Sequence, residues 1–331
     1  MKKRFLIIGS NSFSGSNMIN LLLSKKHQVV GVSRSNEIEK EFLNYKQNKN
    51  IKKFKFYKID INKHSQRIKL NDIILKFKPN IVINYSAQGM VEQSWINPED
   101  WYQTNLVSQT IFYKNIQKFR FINRIIHVTT PEVYGSNNQK IKENTKFNPS
   151  TPYAISRAAM DLHLLSLYKN FHVPVILTRT SNIYGPGQQL YRIIPKAFIC
   201  SKKKIKLNLH GGGNSVRSFI FMDDVSEATY ILSQKGKIGE TYHISNNEFI
   251  SIKKLVLVIS KMQNISFKKL CKKEADRIGK DRVYKLNFDK LKKLNWKPKV
   301  KLRKGLLTTK KWIDNNLNIL MKKELNYKHK K

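Results

Sequence analysis

The sequence predicts an α/β fold in which helices cover both faces of a doubly wound parallel sheet. Short apolar runs rich in β-branched residues alternate with segments of helical periodicity up to about residue 178. The first of these runs leads through a glycine-containing turn into a helix. The length of 331 residues also leaves room for a second, smaller α/β domain interleaved with the first.

The first predicted unit is a strand at residues 5–8, a turn with two glycines, and a helical pattern at residues 18–23. This order is typical of dinucleotide binding, because Gly9 permits a tight turn and Gly15 permits close helix packing. The helix N-terminus would then face a pyrophosphate. Ser12 stands where a common variant of the motif has its middle glycine. The predicted cofactor-binding residues of this loop are Gly9, Ser12, Phe13 and Gly15.

Three further strands are predicted at residues 28–33, 54–59 and 81–85. Arg34 follows the first of these, where an NAD-specific site usually has an acidic residue for the adenosine ribose. It could instead bind the 2′-phosphate of NADP, or be a surface cation. Asp60 and Ile61 follow the next strand in a position suited to the adenine amine, and Ser86 and Ala87 follow the last.

A helix is predicted from about residue 100 to 118, followed by a buried strand at residues 125–128. Thr130 and Glu132 would lie at the C-terminal end of that strand, where open α/β sheets bind their ligands. They are therefore candidates for a hydroxyl and a carboxylate in a functional site.

Pro152 precedes a helix-forming run and indicates a helix start. Tyr153 and Arg157, four residues apart, would lie on one face of this helix. A cation beside Tyr153 would lower the pKa of its phenol, which makes Tyr153 a candidate base for a sugar hydroxyl. The alternative is that both are solvent-facing helix residues.

Beyond residue 180 the alternation becomes irregular. Residues 181–188 are rich in turn formers, residues 211–219 are typical of a hairpin loop, and residues 221–233 predict a helix that returns to the sheet. We therefore expect a cofactor domain of residues 1–180 with 220–246. The substrate domain would comprise residues 181–219 and 247–331.

The formal net charge is +41, from 63 Lys and Arg against 22 Asp and Glu. Lysine is spread along the chain, and its dense runs are best explained as solvated faces, so we expect no nucleic-acid partner. The charge would still attract anionic nucleotides. Cys200 and Cys271 lack metal-ligand spacing and suit a reducing cytosol. No metal site, signal peptide or membrane insertion is predicted.

Together these motifs resemble the extended short-chain dehydrogenase/reductase family, and within it the nucleotide-sugar 4,6-dehydratases of the dTDP-glucose and GDP-mannose kinds. The resemblance covers nearly the whole chain and depends on the order and spacing of its motifs. In chain order these are GSNSFSG at Gly9, DI at Asp60, YSAQGMVEQS at Tyr85, TN at Thr104, TTPEVYG at Thr129, YAISR at Tyr153, RTSNIYGPGQQLYRIIP at Arg179 and GGGNSVRSFIFMDDV at Gly211.

The resemblance implies a Rossmann domain with tightly bound NAD or NADP, a smaller domain for a nucleotide-diphosphate sugar, and a cytoplasmic homodimer that pairs through the helices near residues 101–118 and 153–171. It implies that Tyr153 is the catalytic base, Thr130 its hydroxyl partner and Glu132 the acid/base at C5 of the sugar. The residues that it implies for the sugar diphosphate are Asn182, Arg192, Arg217 and Arg282.

Two positions depart from the family pattern. Arg157 stands where the family has a lysine, and its larger guanidinium cannot place a compact ammonium on the nicotinamide ribose. Arg157 is retained as a predicted catalytic and cofactor-binding residue because it supplies the charge, and Tyr153 is likewise predicted to be both catalytic and cofactor-binding. Pro131 replaces the aspartic acid that the dTDP-glucose enzymes share. Glu132 would then serve both proton transfers of a 4,6-dehydratase. An epimerase, a UDP-glucuronate decarboxylase and a non-catalytic cofactor-binding protein remain alternatives.

Overall fold

The structure, a computed structural model, describes residues 2–276 and 283–329. Its strands are β1 (Arg4–Ile8), β2 (Gln28–Ser33), β3 (Phe54–Lys58), β4 (Ile81–Asn84), β5 (Arg124–Thr129), β6 (Lys140–Ile141), β7 (Val175–Thr180), β8 (Asn182–Tyr184), β9 (Leu207–His210), β10 (Val216–Phe221), β11 (Thr241–Ile244), β12 (Phe249–Ser251), β13 (Cys271–Glu274) and β14 (Lys285–Leu286).

The α-helices are α1 (Phe13–Ser24), α2 (His64–Phe77), α3 (Pro98–Tyr102), α4 (Ser108–Ile116), α5 (Pro152–Phe171), α6 (Ile193–Lys203), α7 (Met222–Lys235), α8 (Ile252–Met262), α9 (Phe267–Leu270), α10 (Asp289–Lys292), α11 (Leu302–Asn315) and α12 (Leu317–Leu320). A π-helical segment, Gln103–Val107, joins α3 to α4. None of the helices in the described ranges combines the length and the hydropathy that a membrane span requires.

Seven parallel strands form the main sheet in the order β11-β7-β5-β4-β1-β2-β3. The predicted doubly wound α/β fold is therefore confirmed. The strand order reverses between β1 and β4, and in such sheets the crevice beyond the carboxyl ends at this point binds ligands. The register pairs Ile8 with both Val32 and Asn84, so the segments that follow β1, β2 and β4 leave the sheet at one edge.

Alternate residues of the strands fill two separate cores, one on each face of the sheet. Phe5 and Ile7 of β1 are buried in one cluster, under α1 and α7. Leu6 and Ile8 are buried in the other, with Phe112 of α4. Each fully buried aliphatic side chain contributes about 1.5–3 kcal/mol through the hydrophobic effect, which accounts for the apolar character of these short runs.

A fully buried ion pair attaches α5 to the sheet. Nη2 of Arg179 on β7 lies 2.8 Å from Oδ2 of Asp161 on α5, and neither side chain is exposed. The guanidinium also contacts the rings of Tyr134 and Phe147, at 4.7 and 4.8 Å from their centroids. These contacts fix the position of α5 relative to the segment that follows β5.

The segments outside the main sheet have a separate hydrophobic core, which contains residues of α6, β9, α8 and α11. Here the predicted hairpin at residues 211–219 is wrong. β9 pairs with β13, whereas β10 pairs with β8 and β12. Gly211, Gly212 and Gly213 have φ of 58°, 66° and 76°, so the chain turns sharply between two different sheets instead of folding back on one.

Candidate active site

The segment after β5 is a short 3₁₀ turn, Pro131–Tyr134, that holds Thr130 and Glu132 together. The Thr130 hydroxyl oxygen caps this turn and accepts a hydrogen bond from the Glu132 amide at 3.3 Å. Pro131 occupies the first position, where its missing N–H leaves no hydrogen bond unmade. The turn thus presents a buried hydroxyl and a partly exposed carboxylate at the end of the strand.

Helix α5 begins at Pro152, as predicted. The Thr151 hydroxyl caps it by accepting from the Ala154 amide at 3.2 Å. Tyr153 is therefore in the first turn, and the Thr130 side chain lies within hydrogen-bonding reach of its phenol. The charges of Glu132 and Arg192 also act on this phenol. The two segments that the sequence singled out converge.

The pKa of the Tyr153 phenol is raised, first by burial and then by the Glu132 carboxylate. Arg157, the Thr130 hydroxyl and Arg192 each act in the opposite direction. As expected, the cation four residues away acts to lower the pKa of Tyr153. The pKa is nevertheless raised overall, because burial penalises the phenolate more than the cations stabilise it.

Arg157 is buried, with 1% of its surface exposed, and its guanidinium is directed at strand β5. Its Nη2 donates to the Val128 carbonyl and lies 3.2 Å from Nε2 of His127. Burial and the Arg157 charge lower the pKa of His127 well below its usual range, so the neutral imidazole can accept this hydrogen bond. Within the described residues, Nε and Nη1 of Arg157 are buried without a protein acceptor. The guanidinium thus joins α5 to the strand that carries Thr130.

A buried polar network continues from this point to the end of β4. Nδ1 of His127 lies 2.8 Å from the Tyr113 hydroxyl, and Nδ2 of Asn84 donates to that hydroxyl at 3.2 Å and to Gln109 at 2.8 Å. The Ser86 hydroxyl donates to Oδ1 of Asn84 at 2.6 Å. This network fixes Ser86 relative to Arg157. Apart from Ser86, its members carry no sequence signal, because isolated polar residues in a helix or strand follow no diagnostic spacing.

The π-helical segment has a similar positioning role. Asn105 within it accepts from the Gln88 amide at 2.8 Å and donates to the Gln88 carbonyl and the Ser156 hydroxyl, both at 3.0 Å. The Ser156 hydroxyl in turn donates to the Tyr153 carbonyl at 2.7 Å. Asn105 therefore links the loop after β4 to the first turn of α5. Such π-helical insertions occur frequently at functional sites.

A cavity of about 300 Å³ opens at the point where the strand order reverses. Most of the predicted cofactor-binding residues line it, namely Gly9, Ser12, Arg34, Asp60, Ile61, Ser86 and Ala87. Phe13, Gly15, Tyr153 and Arg157 do not line it. Phe13 is buried in the core below α1, and Gly15 packs against the turn itself, where an added Cβ would lie 2.3 Å from the Gly9 carbonyl oxygen. Phe13 and Gly15 therefore pack beneath the loop after β1 and support its conformation.

The residues of this loop fit a dinucleotide. Gly9 has φ of 82°, and an added Cβ would lie 2.8 Å from the Ser86 amide nitrogen, so only glycine is accommodated there. Ser12 has φ of −70° and needs no glycine; its hydroxyl caps α1 by accepting from the Gly15 amide at 3.0 Å. The first-turn N–H groups of α1 lack intrahelical acceptors, which is the usual basis of pyrophosphate binding.

Asn182 and Arg217 converge on a tyrosine that the sequence analysis missed. The Tyr284 hydroxyl donates to Oδ1 of Asn182, and the Arg217 guanidinium lies 4.7 Å from the centroid of the same ring. Arg192 directly precedes α6, without a capping hydrogen bond from its side chain, and lies close enough to Tyr153 to affect the pKa of that phenol. The remaining predicted contact, Arg282, lies outside the described residues. Tyr284 lies outside the recognised motifs, so no motif spacing in the sequence indicated a role for it.

A family model described as GDP-mannose 4,6 dehydratase matches residues 6–309. The chain belongs to the GDP-mannose 4,6-dehydratase family. The resemblance inferred from the motifs is thus confirmed. Among relatives of this family member, the dTDP-D-glucose 4,6-dehydratase of Homo sapiens is 29% identical over 324 residues, which cover 96% of this chain and 91% of the human protein.

A second relative is a trifunctional enzyme of Arabidopsis thaliana, a UDP-glucose 4,6-dehydratase, UDP-4-keto-6-deoxy-D-glucose 3,5-epimerase and UDP-4-keto-L-rhamnose-reductase. It is 27% identical over 320 residues, and this family member spans 47% of its length. Among solved structures, the dTDP-glucose 4,6-dehydratase of Bacillus anthracis in complex with NAD has a TM-score of 0.84 at 26% identity. That match covers 96% of this chain and 98% of the other.

Proposed function

We propose that the protein is a nucleotide-sugar 4,6-dehydratase that makes a 4-keto-6-deoxy sugar nucleotide. The observation that carries this proposal is the convergence of the Thr130 side chain and the Glu132 carboxylate on the Tyr153 phenol after β5, in a structure that also has a dinucleotide-type cavity beyond β1, β2 and β4. Family membership and the dehydratase activity of the named relatives support it.

The first half of the reaction needs a base at the C4 hydroxyl of the sugar. Bound NAD or NADP would accept the C4 hydride and return it to C6. Tyr153 takes the hydroxyl proton, and Thr130 holds the same oxygen in place. Arg157 stabilises the phenolate that performs this step, because a positive charge favours the deprotonated form.

The second half is elimination of water across C5 and C6. A ketone at C4 acidifies the C5 proton, which Glu132 removes, and the same carboxyl then protonates the C6 oxygen as the C6–O bond breaks. Pro131 has no proton to donate, so Glu132 performs both transfers in sequence. Glu132 is partly exposed at the end of the 3₁₀ turn, which suits a carboxylate that must reach the substrate.

The substrate is a nucleotide-diphosphate sugar. Arg217, stacked on Tyr284, and Arg192, at the start of α6, supply cations for the diphosphate, and Asn182 supplies an amide. Arg282 is a further proposed diphosphate contact. This assignment makes residues 181–219 and 247–331 the substrate domain, with 1–180 and 220–246 as the cofactor domain.

Either NAD or NADP would be bound tightly. The NAD complex of the Bacillus anthracis relative supports NAD, whereas Arg34 in the cavity lining supports NADP, since it could pair with a 2′-phosphate. We propose a homodimer through α4 and α5, supported by exposed apolar side chains at Ile155 and Leu162, which lie seven residues apart on one face of α5. Two free, buried cysteines support a cytoplasmic location.

The test is incubation of the enzyme with a panel of nucleotide hexoses and NAD or NADP, followed by mass spectrometry for loss of one water. Tyr153→Phe should reduce turnover by about 100- to 10,000-fold by removing the base. Glu132→Gln should still transfer hydride from C4, seen as reduced-nicotinamide absorbance, but release no water. Tyr168→Phe, which is also on α5, is the matched control for Tyr153→Phe. Water release by Glu132→Gln at the wild-type rate would refute the elimination role.

The alternative enzyme is an epimerase or a UDP-glucuronate decarboxylase on the same scaffold, and Pro131 is the observation that favours it. A product of unchanged mass would identify an epimerase. Loss of carbon dioxide from UDP-glucuronate would identify a decarboxylase. Binding of NAD or NADP without turnover of any sugar nucleotide would identify a non-catalytic binding protein.

A further inference from the structure

The last described residues of the chain, 325–329, pack along the substrate side of the cleft; we call them the C-terminal strap. Leu325 packs against the core that contains α6 and α11. Nζ of Lys196 on α6 donates to Oδ1 of Asn326 at 3.1 Å. The Tyr327 ring then meets the Tyr191 ring edge-on, with 5.3 Å between centroids. The start of the strap is therefore held by the substrate side.

The end of the strap is held by the cofactor side. The His329 ring stacks on Trp101 of α3, with centroids 5.0 Å apart and planes 13° from parallel. Its Nε2 lies 2.6 Å from Oδ2 of Asp100. With this contact in place, Trp101 is completely buried. Five residues thus cross from α6 to α3.

The crossing lies beside the mouth of the dinucleotide-type cavity. Tyr191, which contacts Tyr327, lines that cavity together with Arg34 and Thr104. The guanidinium groups of Arg34 and Arg192 are both close enough to Tyr327 to favour its phenolate, although burial keeps its pKa raised. These two cations are the ones proposed for a 2′-phosphate and for the sugar diphosphate. A phenolic hydroxyl near both is well placed to donate to phosphate oxygen.

We propose that the C-terminal strap closes the mouth of the cofactor cavity, that the Tyr327 hydroxyl donates to a phosphate group of the bound dinucleotide, and that the contact of His329 with Trp101 and Asp100 must open before the dinucleotide leaves. This inference rests on the proposed binding of NAD or NADP. It adds to the site a segment far from the dinucleotide-binding motifs in sequence. The strap retains the cofactor between turnovers, as a reaction that returns its hydride to the same substrate requires.

The test measures dinucleotide dissociation from the full-length protein by stopped-flow displacement of NADH and NADPH. His329→Ala should accelerate dissociation by about 10-fold, the loss expected for one aromatic pair and one hydrogen bond to a carboxylate. Tyr327→Phe keeps the ring and removes the hydroxyl, so it should weaken equilibrium binding without releasing the end of the strap. Lys328→Ala is the matched control, because Lys328 is exposed and pairs with Glu324 in the neighbouring turn.

Thermal unfolding of each variant without cofactor checks that the fold is intact, and the midpoint of His329→Ala should fall by no more than a few degrees, as expected for the loss of one terminal contact in a large chain. If His329→Ala released dinucleotide at the same rate as Lys328→Ala and wild type, the proposed role of the strap in retaining the cofactor would be wrong. A wild-type protein that binds neither dinucleotide would overturn the proposed function, and the strap with it. The two failures are therefore distinguishable.

Discussion

The two walls of the cleft are built in different ways. The proposed cofactor wall comes mainly from the segments that directly follow β1 to β4, within the first 90 residues, with Thr104 and Tyr191 added from later in the chain. The proposed substrate wall is formed by Asn182, Arg217 and Tyr284, which lie on separate segments of the chain. A site built from strand ends can therefore be located from local pattern, whereas a site built by pairing distant segments cannot.

Register explains the difference. In the main sheet all neighbouring strands are parallel, with their C-terminal ends aligned. Residues that follow different strands therefore lie close together at one edge of the sheet. In the smaller sheet β10 pairs in parallel with β8 but antiparallel with β12. Arg217 lies opposite Ile250, a partner that neither periodicity nor turn chemistry indicates.

The comparison predicts that changes in one wall leave binding at the other intact, and the largest effect is expected on the cofactor wall. Gly9→Ala places a Cβ 2.8 Å from the Ser86 amide nitrogen at φ of 82°. We expect the free energy of unfolding to fall by about 1–3 kcal/mol and dinucleotide affinity by about 100-fold. Isothermal titration and chemical denaturation measure both quantities.

Gly89→Ala is the matched control for that change, because an added Cβ there meets nothing within 4 Å. It should leave both quantities close to wild type. If Gly9→Ala bound dinucleotide as tightly as Gly89→Ala does, the tight turn would not be part of the cofactor wall.

An intermediate effect is expected on the substrate wall. Arg217→Met retains much of the side-chain volume over the Tyr284 ring but removes the charge. KM for the nucleotide sugar should rise by about 10-fold, the value of one hydrogen bond to a charged group, with dinucleotide affinity unchanged. Steady-state kinetics at saturating cofactor measure this. A fall in kcat with KM unchanged would contradict a binding role.

A third effect, no larger than that at Arg217, is expected on the pH dependence of activity at Arg157, whose guanidinium joins α5 to β5. Its charge lowers the pKa of Tyr153, a pKa that burial and Glu132 raise. Because the phenolate is the active form, activity should increase with pH. Arg157→Met removes a stabilising cation and should shift the rise of the pH–rate profile to higher pH by about one unit, equal to about 1.4 kcal/mol.

Arg157→Lys provides the control, because it keeps a cation at the same position. Its profile should remain nearer to that of wild type than the profile of Arg157→Met. Its turnover should fall, since an ammonium cannot reproduce the guanidinium contacts with Val128 and His127. Identical profiles for Arg157→Met and wild type would remove Arg157 from the mechanism.

Local sequence determined the parallel strands, the glycine turn and the start of α5 at Pro152, because apolar periodicity, a positive-φ glycine and a proline at the first helical position act within a few residues. Tertiary structure alone decided four features: the partners of β9 and β10, the contact of Tyr284 with Asn182 and Arg217, the direction of the Arg157 guanidinium, and the net pKa of Tyr153. Each depends on which distant segments bury a group and which charges they bring near it. Strand pairing and desolvation are properties of the folded chain, and no local pattern of residues specifies them.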